Sequence, residues 1–148
     1  ALRVLELTNA LKICCRVTQA QYFTADIRAV SKGQPCSKKL QHLLPFIGED
    51  GLLRVGGRLQ HSLLPSSTKH PIILPKEAHL SSLLCDFYHL QLLHAGPQAV
   101  QAAIQKEYWI LSLRSLLRQR IWKCLPCLKA RAKLQHPVMS DLPPERVT

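Results

Sequence analysis

Acidic residues are scarce in this chain. It carries 9 Asp and Glu against 20 Lys and Arg, a formal charge of +11. From Tyr108 to Ser140 there is no carboxylate at all. An excess of this size points to a polyanionic partner, with nucleic acid first. A basic surface that serves only solubility is the plainer alternative, and no long basic amphipathic helix supports a membrane surface. Aromatic residues make up only 5% of a chain that is 47% hydrophobic. The core must therefore be leucine-rich, and small pieces of it would benefit from a metal staple. No run of eighteen apolar residues exists, which excludes a membrane span. Arg3, Glu6 and Lys12 interrupt any leader-like apolar stretch at the N-terminus. The six cysteines lay out no disulfide framework, since Cys14, Cys15, Cys36 and Cys85 follow no paired spacing. A reducing, intracellular compartment, nucleus or cytoplasm, is expected. A length of 148 residues allows one domain or two small ones. A start at alanine and an end at Glu-Arg-Val-Thr suggest a piece of something longer.

The chemistry that is present concentrates between His89 and Cys127. Four residues separate His89 from His94, twenty-nine separate His94 from Cys124, and two separate Cys124 from Cys127. Two imidazoles close together and a distant Cys-x-x-Cys form a four-ligand zinc set, because zinc takes nitrogen and thiolate donors at tetrahedral corners. The intervening stretch is long enough for two helices and a turn, so the ion would tie the ends of a small helical unit. Two buried cysteines with two unrelated histidines are the bland alternative. A redox Cys-x-x-Cys lacks the βαβ surroundings it would need. Cys85, four residues before His89, is a possible competing ligand.

Read in order, residues 2–17 predict a helix with Val4, Leu7, Leu11 and Cys14 on its apolar face. Residues 19–31 predict a second, with Phe23, Ile27 and Val30 inward and Lys32-Gly33-Gln34-Pro35 as its stop. Residues 36–51 read as a connection ending in a Glu49-Asp50-Gly51 turn. Leu52–Val55 reads as a short strand with a Gly56-Gly57 turn or bulge, and Arg58-Leu59 as continuing extended. His70–Pro75 reads as an edge strand, because prolines border it. A two- or three-stranded antiparallel ribbon is expected, leaning on a helix over 76–89 whose wide apolar arc packs on two sides. His94-Ala95-Gly96-Pro97 brings the second histidine round, with Gly96 taking an unusual backbone angle and Pro97 starting a helix over 97–107. Tyr108-Trp109-Ile110 should plug the core. Ser112 is a candidate cap for a third helix whose inward face runs from Leu113 to Cys124. The fold class is thus mainly α, with a small antiparallel β ribbon and a zinc-stapled three-helix, helix-turn-helix-like unit in the C-terminal half. The expected parts are a helical segment (1–35), a linker and ribbon (36–75), the zinc unit (76–133) and a trailing linker (134–148).

The carboxylate-free stretch from Tyr108 to Ser140 holds Arg114, Arg118, Arg120, Lys123, Lys129, Arg131 and Lys133. Phosphate contact is their plain use, and a solvated helix face is the alternative. Arg120 falls within the apolar arc of its helix, so it either snorkels to the edge or faces a partner.

The segment from Leu74 to Lys133 resembles the zinc-binding domain that precedes the catalytic core in retroviral and retrotransposon integrases. The resemblance rests on Leu74-Pro75-Lys76, His89, Leu93-His94-Ala95-Gly96-Pro97, Tyr108-Trp109 and Lys123-Cys124-Leu125-Pro126-Cys127. Asp50-Gly51-Leu52-Leu53-Arg54-Val55-Gly56-Gly57-Arg58-Leu59 upstream, and the closing Asp141-Leu142-Pro143-Pro144-Glu145-Arg146-Val147-Thr148, narrow it to Bel/Pao-type retrotransposon polyproteins. It spans roughly residues 16–148, and residues 1–15 match only loosely. It implies a His-His-Cys-Cys zinc site at His89, His94, Cys124 and Cys127. It also implies contact with the element's DNA ends and a part in assembly with other integrase subunits. Related sequences more often carry an apolar residue where Arg120 stands. Strand transfer in such enzymes needs Asp, Asp and Glu holding two divalent ions, with thirty-five residues before the Glu. Here Asp50 leads thirty-six positions on to Asp86, and Asp86 thirty-six on to Trp122. The catalytic core is expected beyond Thr148. The chain is expected to be a non-catalytic module with no small-molecule substrate and no membrane partner.

Overall fold

Helix α1 (Val4–Tyr22) forms over nineteen residues that contain neither proline nor glycine. At its start the Glu6 side chain accepts the Arg3 backbone N–H at 2.8 Å. The structure, a computed structural model, describes residues 1–57 and 59–147. The expected extension through Arg58, and Thr148 of the closing motif, lie outside the described residues. After α1 come α2 (Thr24–Ser31), α3 (Lys38–Gln41), β1 (Phe46–Ile47) and β2 (Leu53–Arg54). Then come α4 (Ser66–Lys69), β3 (Ile72–Leu74), α5 (His79–Gln91) and α6 (Pro97–Ile104). The chain finishes with β4 (Tyr108–Ile110), α7 (Leu113–Trp122), α8 (Leu125–Arg131) and a 3₁₀ turn at Pro144–Arg146. The fold is mainly helical with a small sheet, as the sequence implies. Among the described residues no helix is long and apolar enough to cross a membrane.

The sheet is larger than a ribbon and of mixed sense. Its order is β1-β2-β3-β4. The first two pairings are antiparallel and β3 runs parallel to β4. So β3 is central rather than an edge strand. Its bordering prolines do not prevent this, because Pro71 and Pro75 flank the ladder instead of interrupting it. The Ile72 N–H still reaches the Glu107 carbonyl at 2.9 Å. Tyr108-Trp109-Ile110, expected as a core plug, is itself a strand.

Side chains alternate across this sheet with the period of two that a pleated strand imposes. Leu52, Ile72, Leu74, Tyr108 and Ile110 join Val100, Ile104, Leu113, Leu116 and Leu117 in one core. Leu53 and Ile73 face the other way, onto Phe23, Leu40 and Leu43, with Trp109 partly buried beside them. A strand covered on both faces reads as an unbroken apolar run, and Ile72-Ile73-Leu74 is one.

Helix α1 meets this sheet on only part of the expected face, with Leu11 packed against the core. Val4, Leu7 and Cys14 are exposed, and the buried positions are Cys15 and Gln19. In the early turns of α1 the apolar spacing finds no cover, and Val4 and Leu7 stay exposed. Gln19 is the link. Its amide nitrogen donates to the carbonyls of Leu53 at 2.9 Å and Ile73 at 2.7 Å, and its amide oxygen accepts the Leu53 N–H at 2.8 Å. Strands β2 and β3 are paired through Arg54 and Ile72. The glutamine thus satisfies backbone groups beside that pairing that would otherwise be buried unpaired.

The Asp50–Gly57 stretch is a structural corner. Gly51 turns the chain at φ +74°, and Arg54 donates to the Asp50 carboxylate at 2.6 Å and to the His70 carbonyl at 2.9 Å. Burial pushes the Asp50 carboxyl up, but the Arg54 guanidinium outweighs it and holds the group below its ordinary value. Gly56 lies so close to Leu44 that an added Cβ would stand 2.3 Å from its carbonyl oxygen.

Two outcomes follow for stability. Gln19→Leu strips three buried backbone groups of their partner and is expected to cost about 2–4 kcal/mol. Gly56→Ala forces the backbone of β1 and β2 apart and should cost on the order of 2 kcal/mol or more. Denaturant melts of both variants check this, and midpoints unchanged from the parent would contradict it.

Candidate metal centre

Helix α5 carries His89 in its last turn, where the helix must stop for the chain to return. The stop is sharp. Leu93 and His94 both take left-handed backbone, at φ +54° and +62°, and the His94 N–H bonds back to the His89 carbonyl at 2.9 Å. This conformation, which costs L-residues roughly 1–2 kcal/mol each, turns His94 back beside His89. Gly96, expected to hold the unusual angle, is ordinary extended backbone at φ −66°. Pro97 then opens α6 as expected.

The other half of the site comes from the far end of the unit. Helix α7 ends at Trp122, so Cys124 does not continue its inward face. It precedes α8 in extended conformation, and Cys127 lies one turn into that helix. Ser112 adopts left-handed backbone and makes no side-chain cap, so α7 starts without the expected one. Helices α6 and α7 are joined through β4 rather than by a tight turn.

These pieces converge. One donor atom from each of His89, His94, Cys124 and Cys127 lies within 4.8 Å of the others. His89 Nε2 is 3.3 Å from His94 Nδ1. Cys124 Sγ is 3.3 Å from His94 Nδ1, and Cys127 Sγ is 3.3 Å from His89 Nε2 and 3.6 Å from His94 Nδ1. A tetrahedral zinc with arms of about 2.3 Å to sulfur and about 2.05 Å to nitrogen has N···N edges of about 3.35 Å and N···S edges of about 3.55 Å. The residues therefore fit a zinc ion. Buried His89 also donates from Nδ1 to the Ala95 carbonyl at 3.1 Å, which leaves Nε2 bare toward the cluster. Desolvation and then the neighbouring Cys124 push the Cys127 thiol above its ordinary value. Two thiols in one small site resist losing both protons, and a divalent cation removes that resistance.

Residues 77–133 match the family model of the integrase zinc binding domain. The match covers well under half of the chain, and this segment is similar to that domain. Searches of curated proteins and of solved structures gave no match. The integrase segment includes all four donors, and zinc is the ion they are placed to hold. Cys85 is not among them. It is fully buried in the core with Leu74 and Leu84, and burial, then Asp86, raises its thiol to about 12.

Of the seven basic residues named for phosphate contact, Arg120 and Arg131 are engaged within the molecule. Arg120 is taken up by Asp86, which accepts from both its Nε, at 2.9 Å, and its Nη2. Its guanidinium is thus engaged within the molecule, and the apolar arc is preserved because the charge leans onto α5. Nothing in the local sequence announces this pairing, since Asp86 lies on the polar arc of a distant helix. Arg131 folds back on the Cys127 and Ile121 carbonyls and lies 5.2 Å over the Trp122 ring. Arg114, Arg118, Lys123, Lys129 and Lys133 are exposed. Sequence reading also missed the Ala95 carbonyl that orients His89.

Because apo sites of this kind lose binding energy that is folding energy, chelator is expected to lower the melting temperature and the helical circular dichroism signal of the parent. Cys124→Ser/Cys127→Ser should reproduce the loss without chelator. An unchanged melt in both would refute a stapling role. Leu93→Gly, at a left-handed position that is 88% exposed, should raise the stability of the zinc-loaded chain by about 0.5–1 kcal/mol. A lower melting midpoint would contradict the strain.

Proposed function

We propose that the chain is the non-catalytic zinc-binding module of a retrotransposon integrase of Bel/Pao type, which contacts nucleic acid and supports integrase assembly. The observation that carries this reading is the coincidence of the integrase segment with a four-donor cluster whose edges suit zinc. All four positions of a bound zinc would be supplied by His89, His94, Cys124 and Cys127, and the ion would hold α5, α7 and α8 in register. No carboxylate joins the donor cluster among the described residues. The formal charge of +11 supports a polyanionic partner. No two of the described cysteines are bonded, in keeping with a reducing intracellular site, nucleus or cytoplasm.

A second reading, association with protein alone, draws on one feature. Leu83, Phe87 and Leu90 are exposed on α5 at spacings of four and three, the half of its apolar arc that no element covers. That stripe suits the assembly role as readily as it suits a module without nucleic-acid contact.

Salt separates the two. Binding of a labelled oligonucleotide by the zinc-loaded chain should weaken by about tenfold or more between 50 and 200 mM salt, with a linear log–log dependence. Association that survives high salt, with no oligonucleotide bound at low salt, would leave the protein-only reading.

A further inference from the structure

A large cleft lies apart from the His-Cys cluster, between the upstream helices and the integrase segment. It encloses about 920 Å³ and is walled by Tyr22, Lys38 and Lys39 on one side and by Lys76, Trp109 and Arg114 on the other. A second cleft of about 410 Å³ runs between α6 and α7, lined by Gln98, Gln101, Arg114 and Arg118. The two share Gln101 and Arg114, so they form one track across the surface. The second cleft has no carboxylate in its lining. The first has Asp26 and Glu77, and the Asp26 carboxylate is already accepting the Ser37 N–H at 2.7 Å.

We infer that this track is a binding site for a single strand of nucleic acid, built jointly by the upstream helices and the integrase segment. The inference rests on the nucleic-acid reading above and assigns it a place. Five cations from three stretches of chain border the track: Lys38, Lys39, Lys76, Arg114 and Arg118. The Lys76 ammonium is held by the Ser115 hydroxyl at 3.0 Å. Tyr22 is 44% exposed, and Trp109 is half-buried. Both rings offer stacking surface beside the cations, the combination that holds unpaired bases and their backbone together. Gln98 and Gln101 on α6 and Gln105 at its C-terminal cap follow one another at spacings of three and four and carry neutral amides that can pair with base edges. A duplex keeps its base faces stacked inside and its phosphates on a convex surface, so it could use the cations of such a cleft but not its rings. The basic residues after the zinc knuckle lie elsewhere. Arg131 is bound to its own carbonyls, and Lys129 and Lys133 line neither cleft.

The test uses the full zinc-loaded chain, a fluorescein-labelled oligothymidylate and a duplex of equal length. Lys38→Gln/Lys39→Gln alters two exposed side chains outside the integrase segment, and zinc content and melting temperature report whether the fold is kept. The expected result is binding of the single strand about tenfold weaker in this variant, with a salt slope lower by about 1.4, the value for two phosphates on a single strand. Lys129→Gln/Lys133→Gln should change it by less than about twofold. Loss in the second variant with none in the first would overturn the track while leaving nucleic-acid binding intact. Preference for the duplex would overturn the single-strand assignment. No binding of either probe at low salt would overturn the track together with the reading it rests on.

Discussion

Four donor atoms brought within 4.8 Å of one another are the constraint on which the C-terminal half depends. They come from the end of α5, the loop after it, and the two ends of the first turn of α8. A leucine-rich unit this small has little core of its own, and an ion at that point fixes elements that are distant in sequence. The backbone is bent to suit. Two consecutive L-residues in left-handed conformation persist at Leu93 and His94 because the turn must present a second imidazole beside the first. The Ala95 carbonyl, one residue on, selects the His89 nitrogen that is left free.

The sheet couples this unit to the rest. Strand β3 is buried on both faces, with Ile72 and Leu74 toward the zinc helices and Ile73 toward the upstream ones. Its parallel pairing with β4 carries the integrase segment back onto the strands that precede it. Gln19 then fastens α1 to β2 and β3 through three hydrogen bonds to backbone. The upstream residues are therefore joined to the integrase segment by a shared sheet. That is also what sets Lys38 and Lys39 opposite Lys76 and Arg114 across one cleft.

The metal ligands were legible in the sequence because zinc chemistry restricts both residue type and spacing, and two short pairs of donors at long separation have few other uses. Helices α5, α6 and α7 are legible from their periodicity to within a few residues, whereas α8, at Leu125–Arg131, was not expected. The sheet was not legible. A two-residue pairing such as Leu53 with Ile47 leaves almost no pattern to read. Tyr108-Trp109-Ile110 becomes a strand only because β3 lies beside it. The expected face of α1 holds only at Leu11 for a related reason: Val4 and Leu7 have helical spacing but stay exposed, while the polar Gln19 is buried.

The sequence by itself determined the zinc donors, the helical class and the excess of positive charge, since each follows from local composition and spacing. Only the tertiary structure decided which charges remain available. Arg120 is paired because Asp86 stands across from it on another helix, and Lys38 joins Arg114 because a sheet brings their helices together. Long-range electrostatics depends on distances in space, and those are set by packing rather than by position along the chain.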